Sequence, residues 1–252
     1  MAEWCVMTGE IETTVLLPLK VGGLDLSITN EVVLVWLAAL VTLLVLLPVC
    51  RRRSLVARGT YQNLMEGLIE FVEKEVVSEG IGKEGRIWAP FLLAMFFFIL
   101  FANLLGLVPV PSLFKAVTSN VNVPAALALV VFLLTMWLTI RQRGLLGFLR
   151  GFLPAGVPWW MAFLVVPIEV MSWLARPLSL AVRLFANMMA GHALVFVFIG
   201  MAVGSAWILK PVPLIGAVVM NVFEVFVAFV QAFIFTMLAG IYIKDALEEE
   251  AH

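Results

Sequence analysis

The chain has 252 residues, 63% of them hydrophobic and only 13% charged, with a formal net charge of -1. A soluble domain usually carries about 25% charged residues, so this composition belongs in a bilayer, and the lack of any basic excess argues against a nucleic-acid partner. The two cysteines, Cys5 and Cys50, flank the first apolar segment and are expected at opposite membrane faces, which excludes a bridge between them. Glu3, Glu10 and Glu12 occupy the place where a signal peptide carries basic residues, so no cleaved leader is expected.

Residues 32–50 are uncharged and long enough to cross a ~30 Å hydrocarbon core at about 1.5 Å per residue. Arg51, Arg52 and Arg53 follow at once and mark the cytoplasmic side, which places the segment 1–31 outside. Residues 58–80 set Leu64, Leu68, Phe71 and Val72 against Glu66, Glu70 and Glu73, the pattern of an amphipathic helix at the cytoplasmic surface. A second span, 87–109, contains Asn103 and leads to an outer loop, 110–121, with Pro111 and Lys115. A third, 123–140, ends at Arg141, Arg143 and Arg150, agreeing with the first basic cluster on orientation.

From Trp159 to Val203 the chain is apolar for about twice the length of a perpendicular crossing, so this fourth segment must tilt, kink at Pro167 or Pro177, or extend beyond the core. A polar turn from Lys210 to Pro213 precedes a last span, 214–243, and five crossings leave the charged tail in the cytoplasm. The expected fold is therefore an all-α integral membrane protein, a single domain of about five transmembrane helices with one amphipathic surface helix. No internal repeat or linker divides it.

Ionisable groups within apolar spans cost several kcal/mol at the bilayer centre, and here they concentrate in the last two segments. Glu169, Arg176, Ser179, Arg183, Asn187 and His192 lie on the fourth, and Asn221, Glu224 and Gln231 on the fifth. At 100° per residue, Arg176, Ser179, Arg183 and Asn187 share one stripe, whereas His192 points away from Arg183. Glu224 and Gln231, seven residues apart, share a stripe that can face the fourth segment, with Asn221 and Tyr242 close to it. Depth along the helices puts Glu169 toward the inner side, Arg183 near the middle, and His192 level with Glu224 toward the outer side. Two polar groups at different depths, separated by an arginine, make an offset pair of half-channels. A guanidinium does not deprotonate, so Arg183 blocks a direct leak and attracts a carboxylate that another subunit must supply. His192 and Glu224 together suit a proton relay.

Simpler roles stay open for several of these groups. Arg176 also suits snorkelling or a lipid phosphate, Glu169 a hydrated interface, and Asn103, Ser179, Asn187 and Gln231 ordinary interhelical hydrogen bonds. No nucleophile triad, metal-binding helix or phosphate loop is present in the sequence, so neither catalysis nor a cofactor or metal is expected in this chain. A self-contained secondary transporter is the main alternative, although it would more often show repeated halves. A structural scaffold is the third possibility, and it predicts that Arg183 and Glu224 tolerate apolar replacement.

The segment SLAVRLFANMMAGH, 179–192, resembles the signature of subunit a of F-type rotary ATP synthases, in which Arg-Leu is followed by Asn four residues after the Arg and Gly four later. The likeness extends to FANLLGLVP at 101–109, SNVNVP at 119–124 and EVFVAFVQAFIF at 224–235. It implies a stator subunit whose last two helices, 159–243, form a tilted hairpin along a ring of small c subunits, with b subunits of the peripheral stalk as further partners. By the same resemblance Arg183 matches the family's essential arginine, with Asn187 and Gln231 matching its neighbouring asparagine and last-helix glutamine. Glu169 matches an inner-channel carboxylate. Some relatives carry the acid and the histidine of the His192–Glu224 pair in the reciprocal order. The ring's binding site, absent from this chain, is expected to choose the ion, with protons favoured over sodium. The implied address is a bacterial inner membrane, with ATP hydrolysis or synthesis performed elsewhere in the complex.

Overall fold

The computed structural model describes residues 15–18, 20–21, 24–25, 27–51, 59–82, 84–107, 120–152 and 159–248. The proposed outer loop with Lys115, most of the 1–31 segment, Arg52, Arg53 and the last four residues lie outside this set. Two short antiparallel ladders come first: β1 (Val15–Leu17) pairs with β4 (Ile28–Thr29), and β2 (Lys20–Val21) with β3 (Leu24–Asp25). The described residues after them are helical or connecting turn. Four helices are long and apolar enough to cross a membrane, and a shorter apolar helix, Val32–Pro48, lies at the low end of crossing length. The chain is an all-α integral membrane protein.

Helix α1 (Asn30–Arg51) buries Leu34, Ala38 and Thr42, four residues apart, and Thr42 satisfies its hydroxyl by donating to the Ala38 carbonyl at 2.7 Å. The opposite stripe, Trp36, Leu40, Leu43, Leu44 and Leu47, stays exposed, as expected where lipid rather than water is the solvent. Helix α3 (Ala89–Gly106) is apolar on all sides and the most buried of the spans, with Leu92, Phe96, Phe97 and Ile99 fully buried. It presents Ala102 to α1 and Leu104 to Met188 and Ala228 of the last two helices.

Helix α4 (Asn122–Gly151) starts on an Asx-type turn, with the Asn122 N–H donating to Asn120 Oδ1 at 3.0 Å. It was expected to end near residue 140. Instead helical backbone resumes beyond a break at Gly144, whose φ of 70° only glycine adopts readily. Helix α5 (Ala162–Gly204) runs 43 residues, and α6 (Pro211–Glu248) runs back along it for 38. Neither Pro167 nor Pro177 ends α5; each leaves one carbonyl without its helical donor, yet the helix continues. At about 64 Å it exceeds a ~30 Å core twofold, so it must tilt or project beyond it. Its partner α6 buries Ala217, Ala228, Ala232, Ala239 and Ala246, small residues that let backbones approach where no hydrophobic effect drives helices together.

The amphipathic segment has an internal structure that its sequence pattern does not announce. Helix α2 (Thr60–Val72) passes directly into a π-helix, Glu73–Ile81. The Gly82 N–H donates to the Val77 carbonyl at 3.1 Å and the Ser78 hydroxyl to Glu73 at 3.1 Å, both across five residues. The reason is visible in the packing. Val72 and Val77, and Val76 and Ile81, are five apart and nearly fully buried, so the widened turn keeps all four on one face. That face meets α6, where Phe71 packs in tilted geometry against Phe229 and Phe233 with ring centroids 5.9 and 5.2 Å apart. The helix is thus part of the core on one side rather than a loose surface element. At Gly240 an added Cβ would lie 3.3 Å from both Ile81 and Val76. Gly240→Leu is therefore expected to destabilise the fold by about 1–3 kcal/mol through overpacking. A thermal midpoint in detergent equal to that of the parent chain would contradict this account of the π-helical contact.

Candidate functional site

The site lies along the α5–α6 hairpin. Glu169, Arg176 and Arg183 are spaced seven residues apart on α5, so they lie within about 20° of one another per step and succeed each other every ~10 Å. Arg183 and Ser179 are exposed. Most of the exposed residues around them in the sequence of α5 are apolar, among them Leu178, Val182, Met189 and Leu194, and α6 likewise exposes Val219, Val222, Phe223 and Phe226. Among the described residues of these two helices, Arg183 is the one charged side chain in the exposed class.

Two polar contacts tie the helices together on either side of a small apolar junction. Asn187 Nδ2 donates to Gln231 Oε1 at 2.7 Å, with Gln231 buried. Farther along, His192 Nδ1 lies 3.7 Å from Glu224 Oε1, and Glu224 is 2% exposed. Between these contacts Met188 and Ala228 are fully buried against Leu104. The matched depth anticipated from helical rise is thus observed as a contact between His192 and Glu224, and the stripe carrying Glu224 and Gln231 does face α5. The 3.7 Å separation exceeds a direct hydrogen bond. Among the described residues, His192 Nε2 and Glu224 Oε1 are both buried without a hydrogen-bond partner.

At the other end of the hairpin Glu169 lines a cavity of about 100 Å³ between α4, α5 and α6. Arg176, Tyr242 and Asp245 share its wall, as does Trp173, whose ring lies 4.3 Å from that of Phe132 on α4. Arg176 is held there rather than left to lipid: Nη1 donates to Asp245 Oδ2 at 3.3 Å, and its Cζ lies 5.5 Å from the Tyr242 ring centre. Of the remaining candidates, Asn103 is fully buried on α3 next to Ala102, and Asn221 is half-buried one turn before Glu224. Among the described residues no cluster of His, Cys, Asp and Glu could hold a metal.

Two residues of this arrangement escape a reading for intramembrane charge. Asp245 looks like part of a solvated tail, yet it follows Gln231 by fourteen residues, an offset of only about 40°, and so returns to the same face. Gly191 carries no chemistry of its own, but a Cβ there would lie 2.7 Å from Glu224 Cδ. The missing side chain is the space that the carboxyl occupies. Gly191→Ala is accordingly expected to cost about 1–3 kcal/mol by displacing Glu224. Gly200→Ala, with nothing within 4 Å, serves as the control and should be neutral or stabilising by up to ~1 kcal/mol. Equal thermal midpoints for the two variants would show that the close approach is unimportant.

The model of the family described as ATP synthase A chain matches residues 32–244. ATP synthase subunit a of Paramagnetospirillum magneticum (strain ATCC 700264 / AMB-1) is 41% identical over 236 residues, covering 92% of this chain and 94% of that protein. ATP synthase subunit a of Chloroherpeton thalassium (strain ATCC 35110 / GB-78) is 38% identical, covering 93% of this chain and 71% of that protein. The corresponding protein of Anaeromyxobacter sp. (strain Fw109-5) is 39% identical over 96% of this chain, which spans only 60% of that relative's length. The match takes in α5 and all but the last four residues of α6, and so leaves out Asp245. On this match and on its apolar helices, the chain belongs to the ATP synthase subunit a family of integral membrane proteins.

Proposed function

We propose that this chain is the stator ion channel of an F-type ATP synthase, passing protons between two offset half-channels and the carboxylates of a rotating c-ring. The observation that carries the proposal is the placement of Arg183, exposed on an apolar face. Along the hairpin it comes between the cavity at Glu169 and the buried His192–Glu224 contact.

The chemistry follows from what each group is able to do. His192 and Glu224 both exchange protons, and with a water between them they form a relay from the outer side. A proton delivered to a ring carboxylate neutralises it, which lets that ring subunit turn away into lipid. On the inner side the carboxylate approaches Arg183, whose permanent charge favours the ionised form by about 4 kcal/mol at 4 Å and an effective dielectric near 20. The proton then leaves through the cavity lined by Glu169. Arg183 itself never carries the proton, because its guanidinium does not deprotonate, and the same fixed charge stops a direct leak between the two paths. The Asn187–Gln231 hydrogen bond holds α5 and α6 together one turn from Arg183, keeping the charge at a fixed position on the ring-facing surface.

In this reading the apolar α5–α6 face meets the ring, and peripheral-stalk b subunits and lipid cover other faces. The membrane is a bacterial inner membrane, with the N-terminus outside, the C-terminus in the cytoplasm, and the α2 segment on the cytoplasmic side. The experiment is ATP-driven acidification of inverted vesicles carrying the assembled complex. With Arg183→Ala at matched subunit content, pumping should be lost while assembly persists. Undiminished pumping would remove the proposal and leave a structural arginine.

A further inference from the structure

Glu169, Arg176 and Arg183 follow one another along a single side of α5 at two-turn intervals, so a cation moving between the level of Glu169 and that of Arg183 must pass Arg176. A bare guanidinium at that level would be a second positive barrier, placed where the path has to stay open. The structure gives it a counter-charge from the facing helix. Asp245, near the end of α6, accepts from Arg176 Nη1 at 3.3 Å, and the Tyr242 ring one turn earlier lies 5.5 Å from the guanidinium carbon. Both partners line the same ~100 Å³ cavity as Glu169, together with Arg143 from α4. The Arg176 and Asp245 side chains are 41% and 47% exposed, so the pair is accessible rather than sealed in the core.

We propose that Asp245 is a positioning residue of the inward path: it neutralises Arg176 and, with Tyr242, draws its guanidinium onto α6, so that Arg176 does not add a second uncompensated positive charge on α5 ahead of Arg183. The proposal rests on the ion-channel reading above. It predicts a dependence on charge balance rather than on Asp245 alone. Removing the carboxylate exposes Arg176 to the path, whereas removing both charges restores an electrically neutral wall. A half-exposed ion pair contributes little to stability, so these variants should assemble.

The test uses inverted vesicles with the complete complex, comparing the ratio of proton pumping to ATP hydrolysis at matched subunit content. Asp245→Asn should lower that ratio roughly fivefold, the scale of one partly solvated charge. Asp245→Glu should keep it near the parent value, and the double variant Arg176→Gln with Asp245→Asn should recover most of the loss. Full pumping by Asp245→Asn overturns the proposal. So does a double variant as impaired as Asp245→Asn, because Asp245 would then act otherwise than through Arg176. Arg183→Ala measured in the same series separates the two claims: if it pumps normally the ion-channel reading itself fails, whatever the pair does.

Discussion

A permanent charge set in an apolar face is the constraint around which this molecule is arranged. An arginine at mid-membrane costs at least about 2.5–3.5 kcal/mol, and Arg183 is exposed on α5 beside Val182 rather than folded back on a counter-ion of its own helix pair. Arg176, two turns away on the same helix, is treated differently, with a carboxylate and an aromatic ring from α6 brought to it. The contrast between the two arginines is physical: one is neutralised within the chain, and the other is left for whatever meets the face.

The packing serves that contrast. Small residues on α6 allow a close antiparallel approach to α5, and the absence of a side chain at Gly191 lets Glu224 lie against the α5 backbone beside His192. On its other side α6 is held by α3 and by the π-helical end of the α2 segment, whose valines and Ile81 reach Gly240. Because α6 is fixed from both sides, the polar groups it carries toward α5 have defined partners. Gln231 meets Asn187, Glu224 meets His192, and Asp245 meets Arg176.

Much of this was legible in the residues. Apolar length located the spans, and the seven-residue interval between Glu224 and Gln231 put both on the face that meets α5. Helical rise alone placed His192 and Glu224 at one level. What stayed hidden has identifiable causes. The chain passes through Pro167 and Pro177 without leaving the helix, since a proline costs one hydrogen bond and a long, laterally packed helix tolerates that loss. The extent of α4 beyond Gly144 depends on a single left-handed residue in an otherwise helix-forming stretch. The π-helix answers to burial at five-residue spacing, which a search for 3.6-residue periodicity does not register. Asp245 was masked by its acidic neighbours Glu248, Glu249 and Glu250, although its angular position relative to Gln231 was available by arithmetic. The α2 segment was recognisable as amphipathic, but its intimate contact with α6 is a tertiary fact without a local signature.

The proposed function requires two access paths that open to opposite sides and do not meet. The most direct measurement is thiol accessibility: with Cys5 and Cys50 replaced, single cysteines introduced at Val195, one turn beyond His192, and at Ser172, one turn beyond Glu169, are exposed to a membrane-impermeant thiol reagent. The reagent is added to the assembled complex from one membrane face at a time. Labelling of the Val195 position from the outer face only, and of the Ser172 position from the inner face only, is the predicted result. Labelling of both positions from the same face would contradict the account, because a single continuous path cannot couple ion flow to rotation.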